Sequence, residues 1–235
     1  MHTPVSPHQT IYHRKIVQKQ QKIRKNIKDV VSLPLNKLHK MNTPEQKIDQ
    51  LLQEAEIFAL PIIQKYYNTE ETAYKILLTH SRQVAQKALQ VIKKHPELNI
   101  NTSFVLQAAY LHDIGVFLCN APIIGCHGTH KYIEHGYLGA DLLRNEGLPK
   151  HALVAERHTG TGITQWQIVT QNLPIPTNRV YQPDTLEEKI VSYADKFYSK
   201  THLDTCASKE KILKKLINFG EDSVQRFQMW DNIFA

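Results

Sequence analysis

Disulfide chemistry, membrane anchoring and nucleotide-loop chemistry are all poorly provided for in this chain. Its 235 residues include three cysteines, Cys119, Cys126 and Cys206. They form no CxxC pair and no even framework, which excludes a disulfide scaffold and suits a reducing compartment. No apolar run approaches the roughly 20 residues that a membrane span needs. Basic residues near the start lack an apolar segment behind them, so no secretory signal is expected and the protein is expected to be cytoplasmic. Nine glycines are spread thinly, with no Gly-rich phosphate loop. There is no internal repeat and no stretch of convincing strand alternation, so the expected fold class is all-α.

One sign of charge is nearly missing from the first 40 residues. Asp29 is the only acid among Arg14, Lys15, Lys19, Lys22, Arg24, Lys25, Lys28, Lys37 and Lys40. That segment carries +8 of a chain total of +7, leaving the remainder at −1. The alkaline isoelectric point therefore belongs to the tail, and the globular part gives no reason to expect nucleic-acid binding. Residues 1–40 read as a flexible tail, as an arm for nucleic acid or an acidic partner, or as a segment ahead of a true start at Met41. The remainder, 41–235, reads as a single domain. It opens at Thr43-Pro44-Glu45, a helix start with Thr43 as N-cap and Pro44 in the first turn.

Helical periodicity dominates the chain from there on. A helix from Glu45 to Tyr67 should be kinked at Pro61. The next, from about Thr69, puts His80 in line with Val84, Ala88, Val91 and Ile92, hence on its buried face. Asn101-Thr102-Ser103 caps a further helix. That helix ends at Ala109-Tyr-Leu-His112-Asp113-Ile-Gly115, with Gly115 expected to take a left-handed C-cap conformation. Residues 116–128 look irregular. His135 then falls in line with Leu138 and Leu142, while Gly136 and Gly139 suggest close approach to another element. Val154, Ala155 and His158 share a face of a short helix. Residues 163–183 read as loop around a short helix at Gln165–Gln171. Thr185-Leu-Glu-Glu188 is a capping-box pattern, and the helix it opens carries Asp195 on its apolar face. Lys209–Phe234 reads as two amphipathic helices broken at Gly220.

Five helices thus direct His80, His112, Asp113, His135, His158 and Asp195 inward. One buried imidazole is commonly an ordinary core residue. Six polar groups aimed at one core are more simply explained by metal. Imidazole and carboxylate ligands without thiolate favour Mn, Fe, Zn or similar ions. Six ligands exceed the usual complement of one ion, so two ions bridged by Asp113 are expected, and such pairs suit hydrolysis at phosphorus. His112 and Asp113 are the residues expected at the catalytic centre. Arg82, Arg157 and Lys196 are candidate phosphate contacts, and His130 a further substrate contact or ligand.

The order His80…His112-Asp113…Asp195 resembles the HD-domain metal-dependent phosphohydrolases, and His112-Asp113-Ile114-Gly115 resembles their HDIG subgroup. His135-Gly136, Gly139-Ala140 and His158 resemble the branch with extra histidines, which includes symmetrical diadenosine tetraphosphate hydrolases and HD-GYP enzymes. The runs Glu156–Thr164, Thr185–Ile190 and Tyr193–Lys196 are similar to those of uncharacterised HDIG proteins. The resemblance spans about residues 76–200 and implies a helical HD bundle extended at both ends. It implies a small phosphorylated substrate, a nucleotide by preference, and no membrane partner. Val116 stands where HDIG proteins often carry Lys. Thr159-Gly160-Thr161-Gly162 replaces the Gly-Tyr-Pro that cyclic-di-GMP hydrolysis would need. The rival reading is an HD domain that binds a nucleotide without cleaving it and signals to a partner.

Overall fold

The structure, a computed structural model, describes residues 44–235. The expected N-cap Thr43 and everything before it lie outside these residues. Helix α1 (Pro44–Tyr66) starts with Pro44 in its first turn and continues unbroken through Pro61. Ala55, Ala59 and Ile63, one turn apart, form its buried stripe. Helix α2 (Thr72–Lys94) buries Leu77, His80, Val84, Ala88 and Val91 along the predicted face. It begins slightly later than the sequence suggests, because Asn68–Glu71 closes a turn first.

Helix α3 (Thr102–Leu111) is capped by Asn101, whose side chain accepts from the Phe104 N–H at 3.1 Å. Its apolar residues Val105, Leu106, Ala108 and Ala109 are almost fully buried, so its C-terminus delivers His112 into the interior. The stretch expected to be irregular holds a 3₁₀ turn (Ile114–Leu118) and a minimal antiparallel pair, β1 (Asn120–Ala121) with β2 (Cys126–His127). Two residues per strand are too few to leave an alternating pattern, so no strand is expected there from periodicity. A left-handed Gly125 closes the link between its strands.

Helices α4 (His135–Asn145) and α5 (Pro149–Arg157) form a tight hairpin. Gly147, at φ 76°, terminates the first, and Pro149 opens the second. After a short α6 (Gln165–Thr170), α7 (Leu186–Asp195) crosses α2 and α3. The pattern at Thr185 is only half of a capping box. Thr185 caps the Glu188 N–H, but the Glu188 carboxylate accepts instead from the Asp184 N–H and pairs with Arg157. Helices α8 (Lys209–Leu216) and α9 (Glu221–Phe234) are separated at Gly220, as their amphipathic pattern indicates.

Residues Ile48–Ala235 make one compact unit. Its main core runs from α1 to α9, and Tyr193 of α7 stacks on Phe227 of α9. The segment 163–183 is better organised than its three prolines suggest. Ile163, Ile168, Ile175 and Tyr181 form a small second core. The Arg179 guanidinium ties that segment to Asp141 and to buried Glu156. Among the described residues no helix is long and apolar enough to cross a membrane. Among the described residues the fold is all-α apart from the four residues of β1 and β2.

Candidate metal centre

Three helices end at one point in the interior. His112 is the C-cap of α3, His158 the C-cap of α5, and Asp195 the last residue of α7. His135 enters from the first position of α4 and His80 from the buried face of α2. Asp113, fully buried, stands at the centre. The close fit depends on glycine. A Cβ on Gly115 would lie 2.4 Å from the His135 carbonyl oxygen and 2.4 Å from the Gly139 N. Gly115 is absent from the residues of positive φ. The left-handed cap expected there is therefore not formed; the position needs a glycine because two backbones touch. Gly136 makes the corresponding approach to the Ala155 carbonyl oxygen, at 2.9 Å from its would-be Cβ.

The two oxygens of Asp113 face different neighbours. Its Oδ2 is 3.2 Å from His80 Nε2 and 3.0 Å from His112 Nε2. Asp195 Oδ1 completes that group, 2.9 Å from His80 Nε2 and 3.5 Å from His112 Nε2. The Oδ1 of Asp113 is 3.4 Å from both His135 Nε2 and His158 Nε2, which are 3.1 Å apart. The structure thus gathers two potential ligand sets that share Asp113, one of His80, His112, Asp113 and Asp195, the other of Asp113, His135 and His158.

The rings are held for ligation. His112 Nδ1 contacts the Ala109 carbonyl at 2.7 Å, His135 Nδ1 that of Tyr132 at 2.5 Å, and His158 Nδ1 that of Ala155 at 2.7 Å. A carbonyl can only accept, so each Nδ1 carries a proton and each Nε2 points inward, with a free lone pair on the neutral rings of His135 and His158. Two nitrogens 3.1 Å apart with facing lone pairs repel unless a cation lies between them. Both nitrogens of His80, Nε2 of His112 and both oxygens of Asp113 lack any hydrogen bond, although several stand at ion-pair distance. An unsatisfied buried polar group costs about 1–3 kcal/mol. Asp113 Oδ2 is partnered by the Lys200 ammonium, which leaves the two His80 nitrogens, His112 Nε2 and Asp113 Oδ1 as the atoms left unsatisfied. The residues present fit divalent cations.

Charge balance without metal follows the same geometry. Burial pushes the Asp113 carboxyl up, but His112 and Lys200 outweigh it and hold it well below the carboxylate range. Burial alone would lower His112, yet the Asp113 carboxylate beside it raises it to about 9. Burial, reinforced by His158, drives His135 down to about 3, and burial likewise lowers His158. The second set is thus neutral imidazole, the form that ligates metal.

The candidate substrate contacts fare differently. Lys196 lines the cavity beside the centre, its ammonium 2.7 Å from Asp195 Oδ2 and 3.2 Å from the His158 carbonyl. Arg82 is not at the site. Two residues beyond His80, it lies about 200° around α2, paired with Glu56 in a separate surface groove. Arg157 is committed to buried Glu188 and to the Val180 carbonyl. His130 faces Glu134 at 3.2 Å, bracing the loop ahead of His135 rather than joining either ligand set. His151 is buried between Phe58 and Phe104, a core histidine. Lys200 is a site residue that sequence reasoning misses. Its ammonium contacts Asp113 Oδ2 and sits 5.8 Å from the Tyr132 ring centroid. It lies five residues past Asp195 in an irregular segment, where no periodicity points inward.

An HD domain sequence profile matches residues 77–199. The chain belongs to the HD domain family. The matched span starts in α2, just ahead of His80, and ends one residue before Lys200. An uncharacterised protein of Methanocaldococcus jannaschii is 34% identical over 157 residues, 60% of this chain and 90% of that protein. A tRNA (cytidine(56)-2'-O)-methyltransferase of Thermoplasma volcanium is 35% identical over 124 residues, 52% of this chain. The methyltransferase of the same name in Picrophilus torridus is 29% identical over 149 residues, 63% of this chain. The chain covers only 32% and 38% of those two proteins. Among solved structures, the HD domain of the L. monocytogenes phosphodiesterase PgpH aligns over 82% of this chain and 96% of its own. That alignment has 17% identity and a TM-score of 0.44.

Proposed function

We propose that this HD domain is a metal-dependent phosphohydrolase of the HDIG type. Its substrate is a small phosphate ester or anhydride, a nucleotide by preference, and its ligand sets hold two Fe, Mn or Zn ions. The observation that carries this reading is Asp113, whose two oxygens each face a separate set of imidazoles. Divalent ions held there would lower the pKa of water and neutralise charge on a phosphoryl group. His80, His112, Asp113 and Asp195 would hold one, and Asp113, His135 and His158 the other. His112, its ring held by the Ala109 carbonyl, and Asp113, shared by both ligand sets, would form the catalytic core. Lys196 is placed to receive a phosphoryl oxygen. Lys200, on Asp113, brings a second cationic head to the same wall and orients the central carboxylate.

The two methyltransferases are about three times as long as the segment they share with this chain. Methyl transfer is accordingly not carried over to it. The experiment for the hydrolase is turnover of bis(p-nitrophenyl) phosphate and a nucleotide panel by the full chain loaded with Mn or Fe. Turnover in the wild type, lost together with bound metal in Asp113→Ala, is expected. Full metal content with nucleotide binding and no turnover of any phosphate ester would instead favour the non-hydrolytic signalling domain.

A further inference from the structure

The cavity beside the metal centre is closed by a part of the chain that lies outside the HD match. It has a volume of about 330 Å³, at the lower end of the range for small-ligand sites. His135, His158 and Asp195 stand at one end, with Lys196 and Lys200 beside them. Another part of its wall is Lys215, Leu216 and Phe219, from α8 and the 3₁₀ turn that follows it. The HD profile stops at residue 199.

That wall is fixed in place. Arg226 of α9 donates to the carbonyls of Thr161 at 3.0 Å and Gly162 at 3.1 Å, three and four residues after His158. Thr161 Oγ1 returns a bond to the Ser223 carbonyl at 3.1 Å. The Gln167 side-chain amide donates to the Phe219 carbonyl. Tyr193, two residues before Asp195, stacks on Phe227 and donates to Asp231 at 2.9 Å. The C-terminal helices are thus bonded to both segments that end in a ligand.

Two side chains on this wall have nothing structural to do. Lys215 is exposed, and its ammonium has no partner among the described residues. Phe219 keeps 39% of its surface exposed although a large apolar ring gains by burial. Its ring faces Gly160, 3.9 Å from where a Cβ would be. An unpaired ammonium and an open aromatic face lining the same cavity as Lys196 and Lys200 are complementary to a phosphorylated molecule with a flat apolar moiety.

Resting on the hydrolase reading, we infer that Lys215 and Phe219 are specificity-determining residues for a mononucleotide-sized phosphate ester. The phosphoryl group lies toward Lys196 and Lys200, the base lies against Phe219 and Leu216, and Lys215 offsets remaining negative charge. Both residues are surface-exposed, so truncating them does not threaten folding.

The test is calorimetric binding to the Mn-loaded full chain, with adenosine monophosphate, the three other common ribonucleoside monophosphates, and inorganic phosphate as probes. Phe219→Ala should weaken adenosine monophosphate about tenfold or more while phosphate affinity stays within twofold. Lys215→Gln should weaken the nucleotide about tenfold with a shallower salt dependence, and Lys215→Arg should restore it. The inference is overturned if no monophosphate binds the wild type or if both variants bind as it does. It is equally overturned if Phe219→Ala loses nucleotide and phosphate alike. A short RNA oligonucleotide that binds more tightly than any monophosphate, indifferent to Phe219→Ala, would overturn it in favour of a macromolecular substrate. Absent turnover of bis(p-nitrophenyl) phosphate with nucleotide binding still dependent on Phe219 would remove the hydrolase reading and leave this one standing.

Discussion

Replacing Gly115 by alanine tests the architecture of the centre without touching a ligand. The added Cβ would lie 2.4 Å from the His135 carbonyl oxygen, where ordinary contact begins near 3.4 Å. Both obstructing groups are backbone, so no side chain can swing away. The 3₁₀ turn and the start of α4 must separate by about 1 Å. Overpacking of this kind costs about 1–3 kcal/mol. For a domain of this size each kcal/mol lowers Tm by about 2–4 °C, so a fall of about 2–12 °C is expected. Because His135 begins α4 and Asp113 precedes Gly115 by two residues, the same separation pulls the second ligand set apart. Metal content measured by elemental analysis should drop toward one ion per chain. Gly147→Ala is the control. Its Cβ would meet nothing within 4 Å, and only the positive φ of 76° opposes it, at about 1 kcal/mol, with metal content unchanged. A Gly115→Ala protein with wild-type Tm and wild-type metal content would show that the contact between these backbones does not support the site.

Three further perturbations probe the ligand sets and the core. His135→Ala and His158→Ala should each lose about one metal equivalent and most of the hydrolysis rate; wild-type stoichiometry in both would refute a second ion. A chain beginning at Met41 should retain full metal content, since both ligand sets lie between His80 and Asp195; a folded but metal-free product would contradict that. His151 supplies a pH effect. Burial lowers it to about 4 from the ordinary 6.5, so the unfolded chain takes up its proton first as pH falls. Its contribution is intact above pH 6.5 and is lost progressively toward pH 4. Allowing for partial solvent access, that loss is about 2 kcal/mol. Urea melts of the metal-loaded protein should show a flatter acid limb in His151→Gln, and an unchanged slope would refute the assignment.

Much of the helical plan was legible because buried faces leave a period in the sequence. His80 could be placed inward from Val84, Ala88 and Val91, and the ends of α4 and α5 from Gly147 and Pro149. The convergence of the six ligand candidates was legible for the same reason, since an imidazole or carboxylate on an apolar stripe is costly to bury without a cation or a strong donor to face. Gly115 was recognised as necessary, but on grounds of conformation; the close approach was legible only on its other side, from Gly136 and Gly139. Arg82 was misplaced by reasoning from proximity in sequence, which on a helix reverses direction within two residues. Lys200 was invisible in its irregular segment. Phe219 falls on the apolar stripe of 209–234, which core packing alone explains, and Lys215 is one of many exposed lysines, so only the cavity distinguishes them from their neighbours.

The three helix ends that converge on Asp113 are all C-terminal, and each carries the equivalent of about half a negative charge on its free carbonyls. Helix α4 opposes them with one positive N-terminus. The peptide backbone therefore creates a field that draws in cations before any side chain is considered, and that same field repels an anion. A phosphorylated molecule could approach such a place only after its sign had been reversed. On the proposed reading, ions held by the two ligand sets would do this, together with Lys196, Lys200 and Lys215, which line the same cavity. If the proposed function holds, metal would have to bind before substrate, because of the direction in which three helices run.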